Sequence, residues 1–252
     1  LSHMCSRGYK RLYVMNPGRT DYDYARILQK RLVDLRRLGR IPDLLLLTEH
    51  NPVITLGRGA SERNLLVSRS VLEEKGVVLC ETERGGDITF HGPGQAVVYP
   101  IIDLNNRGRD LHAYLRDLEN LAIAVLAEFG LKASTKKGLT GAWVDNHKVA
   151  AIGVAVSRWI SYHGMALNVS TDLGYFSLIN PCGITAYPVG SIASITGEVI
   201  PLDRVFAVIA DTFALMFSYE PEQVDSIDVL LEDHGPLKSR TDFLHEYHHF
   251  RS

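Results

Sequence analysis

An α+β fold is what this chain predicts, and three observations carry the prediction. Helical periodicity appears near the N-terminus, in the middle and again after residue 200, whereas β-branched runs broken by turn residues fill the stretches between. Strands and helices do not alternate regularly, so a mixed sheet with flanking helices is expected instead of a series of βαβ units. With 46% hydrophobic and 22% charged residues over 252 positions, the chain can bury a sizeable core, and one large domain is the default.

Arg11 to Met15 reads as a first strand. A helix follows, with Thr20 as its expected cap, Asp21 and Asp23 in its first turn and Gly39 just past its end. Its apolar stripe is Tyr24, Ile27, Leu28, Leu32, Leu35 and Leu38. The other face is basic, since residues 1–40 hold ten Lys/Arg against three Asp. Asp43 to Thr48 and Pro52 to Leu56 are expected strands, the second ending at Gly57-Arg58-Gly59. Val77 to Cys80 and Gln95 to Ile102 are two more, flanking the glycine-rich segment Arg84 to Gly94. The next helix is the best marked, with Asp110 to cap it and Gly130 to stop it. Leu111, Tyr114, Leu115, Leu118, Ala122, Val125, Leu126 and Phe129 form its apolar face. Gly141 to Val169, broken at Asp145-Asn146-His147 and near Arg158, reads as consecutive antiparallel strands. Pro201 opens a last helix whose Val205, Phe206, Ile209, Phe213, Met216 and Phe217 face inward. Glu220 to Asp233 holds six acids and no Lys/Arg, so residues 5–218 are taken as the single main domain and 219–252 as an acidic, His-containing appendage or docked tail.

Composition excludes several function classes. Lys+Arg 27 against Asp+Glu 29 leaves no basic excess, so no nucleic acid is expected as partner. The three cysteines, Cys5, Cys80 and Cys182, are odd in number and form no CxxC pair, which argues against a disulfide framework or a cysteine zinc site and fits a reducing, cytoplasmic setting. No run approaches the roughly 20 apolar residues that span a bilayer, so no membrane partner is expected. Leu1-Ser2-His3 ahead of Met4 reads as a cloning remnant with no signal-peptide pattern after it. The tail histidines His234, His245, His248 and His249 reproduce no metal-ligand spacing, so no metal is expected.

The segment Arg84 to Gln95 sets four glycines beside an Arg and a His between two strands, where backbone can approach a ligand closely. It matches neither the P-loop nor the dinucleotide-binding spacing, and Gly-Pro-Gly serves equally well as a hairpin corner. Cys80 ends the apolar run Val77-Val78-Leu79 and reads as a small buried hydrophobe. Cys182 sits in the turn-like Asn180-Pro181-Cys182-Gly183, which can present a side chain. A reactive thiol needs a partner that favours the thiolate, and His91, His163 and Lys148 are the candidates. Sequence distance does not choose among them.

Arg84 to Gln95 resembles the RGGxxTxHGPGQ signature of the lipoyl(octanoyl) transferases, which move an octanoyl group from acyl carrier protein to a lipoyl-domain lysine. Glu49 to Arg58, Trp143 to Gly153, His163 to Asn168 and Asn180 to Ile184 resemble further motifs of that family, in order, within about residues 42–200. The resemblance implies a fold like that of biotin and lipoate protein ligases: a mixed, mainly antiparallel sheet with flanking helices and a smaller second sheet near the site. It implies Cys182 as the acyl-thioester nucleophile and Lys148 as its activator. Arg84, Gly85, Gly86, Asp87, Ile88, Thr89, Phe90 and His91 would line the acyl pocket with Ala151, Ile152, Gly153, Gly164, Met165 and Ala166. The implied donor is octanoyl-acyl carrier protein. The implied acceptors are lipoyl domains of 2-oxoacid dehydrogenases and the glycine cleavage H protein, and neither ATP nor a metal is called for.

Within that frame His91 is expected to brace its loop and Arg84 to pair with Asp87. The basic face of the first helix is expected to help dock the acidic donor protein. Three alternatives share much of the pattern: an ATP-dependent lipoate or biotin ligase, a lipoyl amidotransferase, and a catalytically silent lipoyl-domain binder. Cys182 sets the first apart, because a ligase that activates its acid as an adenylate needs no thiol. The presence of both Cys182 and Lys148 speaks against the silent binder.

Overall fold

The structure, a computed structural model, describes residues 9–180 and 187–226. Strands β1 (Lys10–Met15) and β2 (Arg19–Thr20) precede helix α1 (Tyr22–Arg37), followed by β3 (Asp43–His50) and β4 (Val53–Leu56). Next come the short helix α2 (Arg69–Glu74), β5 (Val78–Glu81), β6 (Ile88–His91) and β7 (Gln95–Ile101). Helix α3 (Leu111–Glu128) leads into β8 (Ala133–Lys136), β9 (Leu139–Val144), β10 (His147–Ser157) and β11 (Ile160–Asn168). The last elements are α4 (Ile192–Thr196), α5 (Leu202–Phe217) and β12 (Tyr219–Gln223).

The main sheet is 9-stranded in the order β12-β1-β3-β7-β11-β10-β9-β8, with β2 beside β3, and β5-β4-β6 form a separate small sheet. Pairs β1–β3, β1–β12, β2–β3 and β4–β5 are parallel and the rest antiparallel, which is the mixed, mainly antiparallel architecture the sequence predicts. Strand β3 shows why its leucines run without a break. Leu45 and Leu47 pack toward α3 and α5, whereas Leu44 and Leu46 join Leu28 and Leu32 of α1 on the opposite face. A third cluster, with Ile54, Ile88 and Phe90, is the core of the small sheet.

Helix α3 ends where its sequence says. The Asp110 carboxylate accepts from Ala113 N at 2.9 Å, and Gly130 takes a φ of 74° just past the last turn. The strands of residues 139–168 turn at Asp145 (φ 51°) and at Arg158 and Trp159 (φ 49° and 67°), as the breaks in β-branched residues predict.

Three expectations are corrected. Thr20 does not cap α1: Asp21 stands at the N-cap, and Thr20 belongs to β2 with its hydroxyl turned to Thr48 and His50. Leu38, at the C-cap beyond the last turn, is 52% exposed, and Met216 is 39% exposed because Ala210 and Ala214 take the buried positions on α5. Within the glycine-rich segment Ile88–His91 forms a strand and pairs with β4. Residues 219–223, read as the start of an appendage or docked tail, form the edge strand β12 in register with β1, and Tyr219 donates its hydroxyl to the Asp43 carboxylate. Among the described residues no helix is long and apolar enough to cross a membrane.

Candidate active site

A cavity of about 460 Å³ opens between the small sheet, strands β7, β11 and β10, and α1, a size suited to a small ligand. The topology explains it. The β4–β6 pair and the Arg84 to Asp87 turn stand over the main sheet on the α1 side, roofing strands whose side chains would otherwise meet solvent. Every residue that the resemblance assigns to the acyl pocket lines this cavity except Phe90. Phe90 does not reach it, because its ring is taken up by the small-sheet core, stacked on Tyr175 with ring centroids 4.8 Å apart and edge-on to Phe176. Tyr22, Gln95, Val97, Tyr99, His163, Asn168, Leu111, Leu115 and Val189 also reach the cavity.

The glycines serve chain-to-chain contact. A Cβ on Gly153 would stand 2.7 Å from Gly85 O, and one on Gly57 would collide with Gly86 O. This closeness lets Gly85 N donate to Val154 O (2.8 Å) and Gly59 N to Gly86 O (3.0 Å), which fastens the Arg84 turn to both β10 and the end of β4. The Arg84 guanidinium is buried and donates to the Thr55 carbonyl and hydroxyl, each at 2.8 Å. Asp87, its expected partner, gives its oxygens to Ser61 N, Asn64 Nδ2 and Ile88 N.

Three buried histidines, His50, His91 and His163, crowd around Tyr22 and Tyr99. His50 Nδ1 donates to Thr20 O at 3.2 Å, which leaves Nε2 to accept from the Tyr99 hydroxyl at 2.7 Å. Burial holds His50 down at about 4, partly offset by its bond to Thr20 O and by the Asp21 and Glu49 carboxylates, whereas burial together with the neighbouring His50 and Arg84 holds His91 at about 3. Burial also lowers His163, partly offset by Glu83, whose carboxyl falls far below its usual range chiefly through its interaction with that imidazole. His163 sits in β11 at a φ of 55°, held by Gln29 Oε1, which accepts from its N–H at 2.7 Å, and by Thr82 Oγ1 at 3.3 Å from Nε2. His91 Nδ1 meets Gln95 Oε1 at 2.7 Å, the bracing contact expected of it.

Lys148 is half-buried on β10 and lines the cavity. Gly141 leaves room for its stem, since a Cβ there would lie 2.8 Å from Lys148 Cε, and the ammonium stands 5.2 Å from the Trp143 ring centre. Its main chain is clasped by the segment that follows Tyr187: Lys148 N donates to Pro188 O (2.9 Å) and Gly190 N donates to Lys148 O (3.0 Å). Cys182 lies outside the described residues, as do Cys5 and the four tail histidines. Cys80 is half-buried near Asp23, and burial with that carboxylate pushes its thiol up to about 11, so it is a poor nucleophile. Among the described residues no three His, Cys, Asp or Glu are grouped to hold a metal ion.

Sequence reasoning does not single out Tyr22, Val97 or Tyr99. Tyr22 looks like any first-turn helix residue. Alternate positions 95, 97 and 99 of a strand buried on both faces carry one signal, a Gln and a Tyr among β-branched residues. The basic face of α1 is narrower than its count, because Lys30 pairs with Glu83 at 2.6 Å, Arg26 with Asp23, Arg37 with Asp34, and Arg36 with Asp43 and Asp103.

The mixed main sheet with its separate small sheet is a fold shared with solved structures of lipoate protein ligases. The fold resembles a crystal structure of lipoate-protein ligase A bound with ATP (TM-score 0.70, 14% identity, covering 89% of this chain and 93% of that one). It resembles equally a lipoate protein ligase candidate from T. acidophilum (TM-score 0.68, 15% identity, 89% and 93%). Residues 21–214 match the lipoyl protein ligase A/B catalytic domain. At higher identity stand the octanoyltransferases of Koribacter versatilis (44% over 234 residues, 91% of this chain and 93% of that protein) and Geobacter metallireducens (46% over 205 residues, 81% and 93%). That of Solibacter usitatus is 48% identical over 203 residues, 81% of this chain and 91% of that protein. The chain belongs to this octanoyltransferase family and is an acyltransferase.

Proposed function

We propose that the protein transfers an octanoyl group from acyl carrier protein to a specific lysine of lipoyl domains, those of 2-oxoacid dehydrogenases and the glycine cleavage H protein, through a thioester on Cys182 activated by Lys148. One observation carries the assignment of Lys148: of the three candidate partners for the thiol, it alone is a half-buried cation at the cavity, while His91 and His163 are buried and committed to hydrogen bonds. The segment carrying Cys182 is flanked by Phe176 and Val189, both of which line the same cavity, and Val189 is bridged to Lys148 itself.

The chemistry follows from the groups. The Cys182 thiolate adds to the octanoyl carbonyl, the C–S bond to the carrier breaks, and the carrier thiolate leaves with the proton of the Lys148 ammonium, which is thereby deprotonated. One thioester replaces another, so no ATP and no metal are needed. A nearby ammonium favours the thiolate, each pKa unit of depression being worth about 1.4 kcal/mol. The acceptor amine then attacks the new thioester, the C–S bond to Cys182 breaks and an amide forms, with deprotonated Lys148 taking the proton the amine sheds. Val97, Ile152, Met165 and Ala166 give the chain an apolar wall, where each buried methylene contributes about 0.8 kcal/mol.

Incubation with octanoyl-acyl carrier protein and no ATP tests the proposal by intact mass of wild type, Cys182→Ala and Lys148→Ala. A hydroxylamine-labile octanoyl adduct on wild type and none on Cys182→Ala is expected. Folded wild-type protein that shows no adduct and transfers nothing to a lipoyl domain until ATP and free octanoate are supplied is instead a ligase.

A further inference from the structure

We infer that Asn168 is a positioning residue for Lys148, acting through a buried hydrogen-bonded strut that runs His91–Gln95–Asn168–Gly190. The inference rests on the assignment of Lys148 proposed above. Gln95 Nε2 donates to Asn168 Oδ1 (2.8 Å) and to Phe90 O (3.2 Å), so Gln95 Oε1 is the acceptor and His91 Nδ1 the donor. With its oxygen used by Gln95, Asn168 turns its Nδ2 outward and donates to Gly190 O at 3.0 Å. Gly190 N in turn donates to Lys148 O.

Every donor and acceptor in this run is fixed by its neighbour. Turning the Asn168 amide over would set its oxygen against Gly190 O and its NH2 against that of Gln95. The three side chains are 6%, 2% and 4% exposed, so water does not take over their bonds.

The topology shows why a strut is needed at this point. Strand β11 runs beside β10 only as far as Asn168, with Ala150 opposite Leu167, so at Lys148 the sheet has lost that neighbour. β10 is also irregular between Lys148 and Ala150 on its other side, toward β9. Residues 188–190 take the vacated place, and Lys148 bridges Val189 in parallel fashion. The last residue of β11 therefore holds, by its side chain, the segment that replaces β11. Gly190 suits that seat, since a Cβ there would stand 2.8 Å from His147 Cβ. At its other end the strut begins at His91 in the cavity wall, so the wall and the lysine are tied into one rigid unit.

The test is a double-mutant cycle. Asn168→Ala and Asn168→Asp are each made in wild type and in Lys148→Ala, and single-turnover octanoyl transfer from octanoyl-acyl carrier protein to a lipoyl domain is followed with melting temperature. Asn168→Asp keeps an acceptor for Gln95 but replaces the donor to Gly190 O by a carboxylate oxygen that repels it, so the two variants break the same bond in different ways and the melting temperature shows which of them folds. In otherwise wild-type protein kcat is expected to fall about 10- to 100-fold with the donor KM within about threefold, the cost of a misplaced group. The pH–rate profile should shift with it. In the Lys148→Ala background the same substitution is expected to change the residual rate by less than about twofold, because the group it positions is gone. Losses that multiply undiminished in that background, or variants that keep wild-type kcat and pH profile, would overturn the inference. Full activity of Lys148→Ala by itself would instead refute the role proposed for the lysine, whatever Asn168 does.

Discussion

The two faces of the main sheet are built from different materials. Toward α3 and α5 the strands present mainly hydrocarbon: Leu12, Val14, Leu45, Leu47 and Val98 meet Leu118, Leu121, Phe213 and their neighbours, with Ser161 bonded to the Tyr114 hydroxyl among them. Toward α1 and the small sheet the buried set includes Gln29, His50, His91, Gln95, His163 and Asn168. Apolar packing tolerates exchange of one hydrocarbon for another, whereas a buried polar group must keep its particular partner or lose its solvation without return. Both faces carry a hydrocarbon core, but most of these buried polar groups gather on the α1 side, so substitutions on the two faces should fail differently.

The sharpest contrast is between Lys148→Ala and Phe213→Ala. Lys148→Ala is expected to cut single-turnover transfer by about a thousandfold or more while melting within a few degrees of wild type. Phe213→Ala is expected to cost about 3–5 kcal/mol in urea unfolding and leave the rate per folded molecule unchanged. A large stability loss with Lys148→Ala, or a slow but stable Phe213→Ala, breaks the comparison. Gly153→Ala lies between these extremes. Its methyl group meets Gly85 O, so about 1–3 kcal/mol of stability and about tenfold in transfer should be lost together.

Acid distinguishes the faces without mutation. His50 titrates at about 4 in the fold against 6.5 when unperturbed, so the unfolded chain takes up the proton first. Its contribution is complete above about pH 6.5 and is lost as the pH falls toward 4, by about 1.4 kcal/mol per pH unit. His91 adds a loss of the same sign that continues to lower pH. Melting temperature should drop between pH 7 and 4.5, and His50→Asn should flatten that slope. Phe213→Leu should lower the whole curve in parallel. The smallest effect is expected from charge reversal at Arg26, Lys30 and Arg37, whose ion pairs with Glu83, Asp23 and Asp34 leave part of their charge for an acidic donor. The donor KM should rise about two- to fivefold at low salt and return to wild type at high salt; a KM that does not move removes α1 from the docking surface.

What the sequence makes legible divides along the same line. Periodicity, Asp110 and Gly130 mark α3, and β-branched runs mark β9 to β11, because one apolar face against one partner leaves a repeating trace. The motifs that carry the family resemblance locate the cavity wall. Phe90 is misplaced because a motif does not record what its ring packs on, and Tyr175 and Phe176, which hold it, come from far along the chain. Tyr22 and Tyr99 go unnoticed because the pocket joins elements far apart in the chain, and no local pattern records which of them meet. Thr20 has the chemistry of a cap, yet pairing of β2 with β3 gives its hydroxyl to Thr48.

Strand β12 gives the order of synthesis a structural meaning. β1 can pair with β3 once residue 46 has been made, but its other edge waits for Tyr219–Gln223. Until then the strand that carries Leu12 and Val14 offers open N–H and C=O groups to any extended chain nearby. A product that stops at Phe217 retains the cavity and all of α5 and still leaves that edge open for good. Such a truncation is expected to reveal itself first as aggregation, and only afterwards as lost activity.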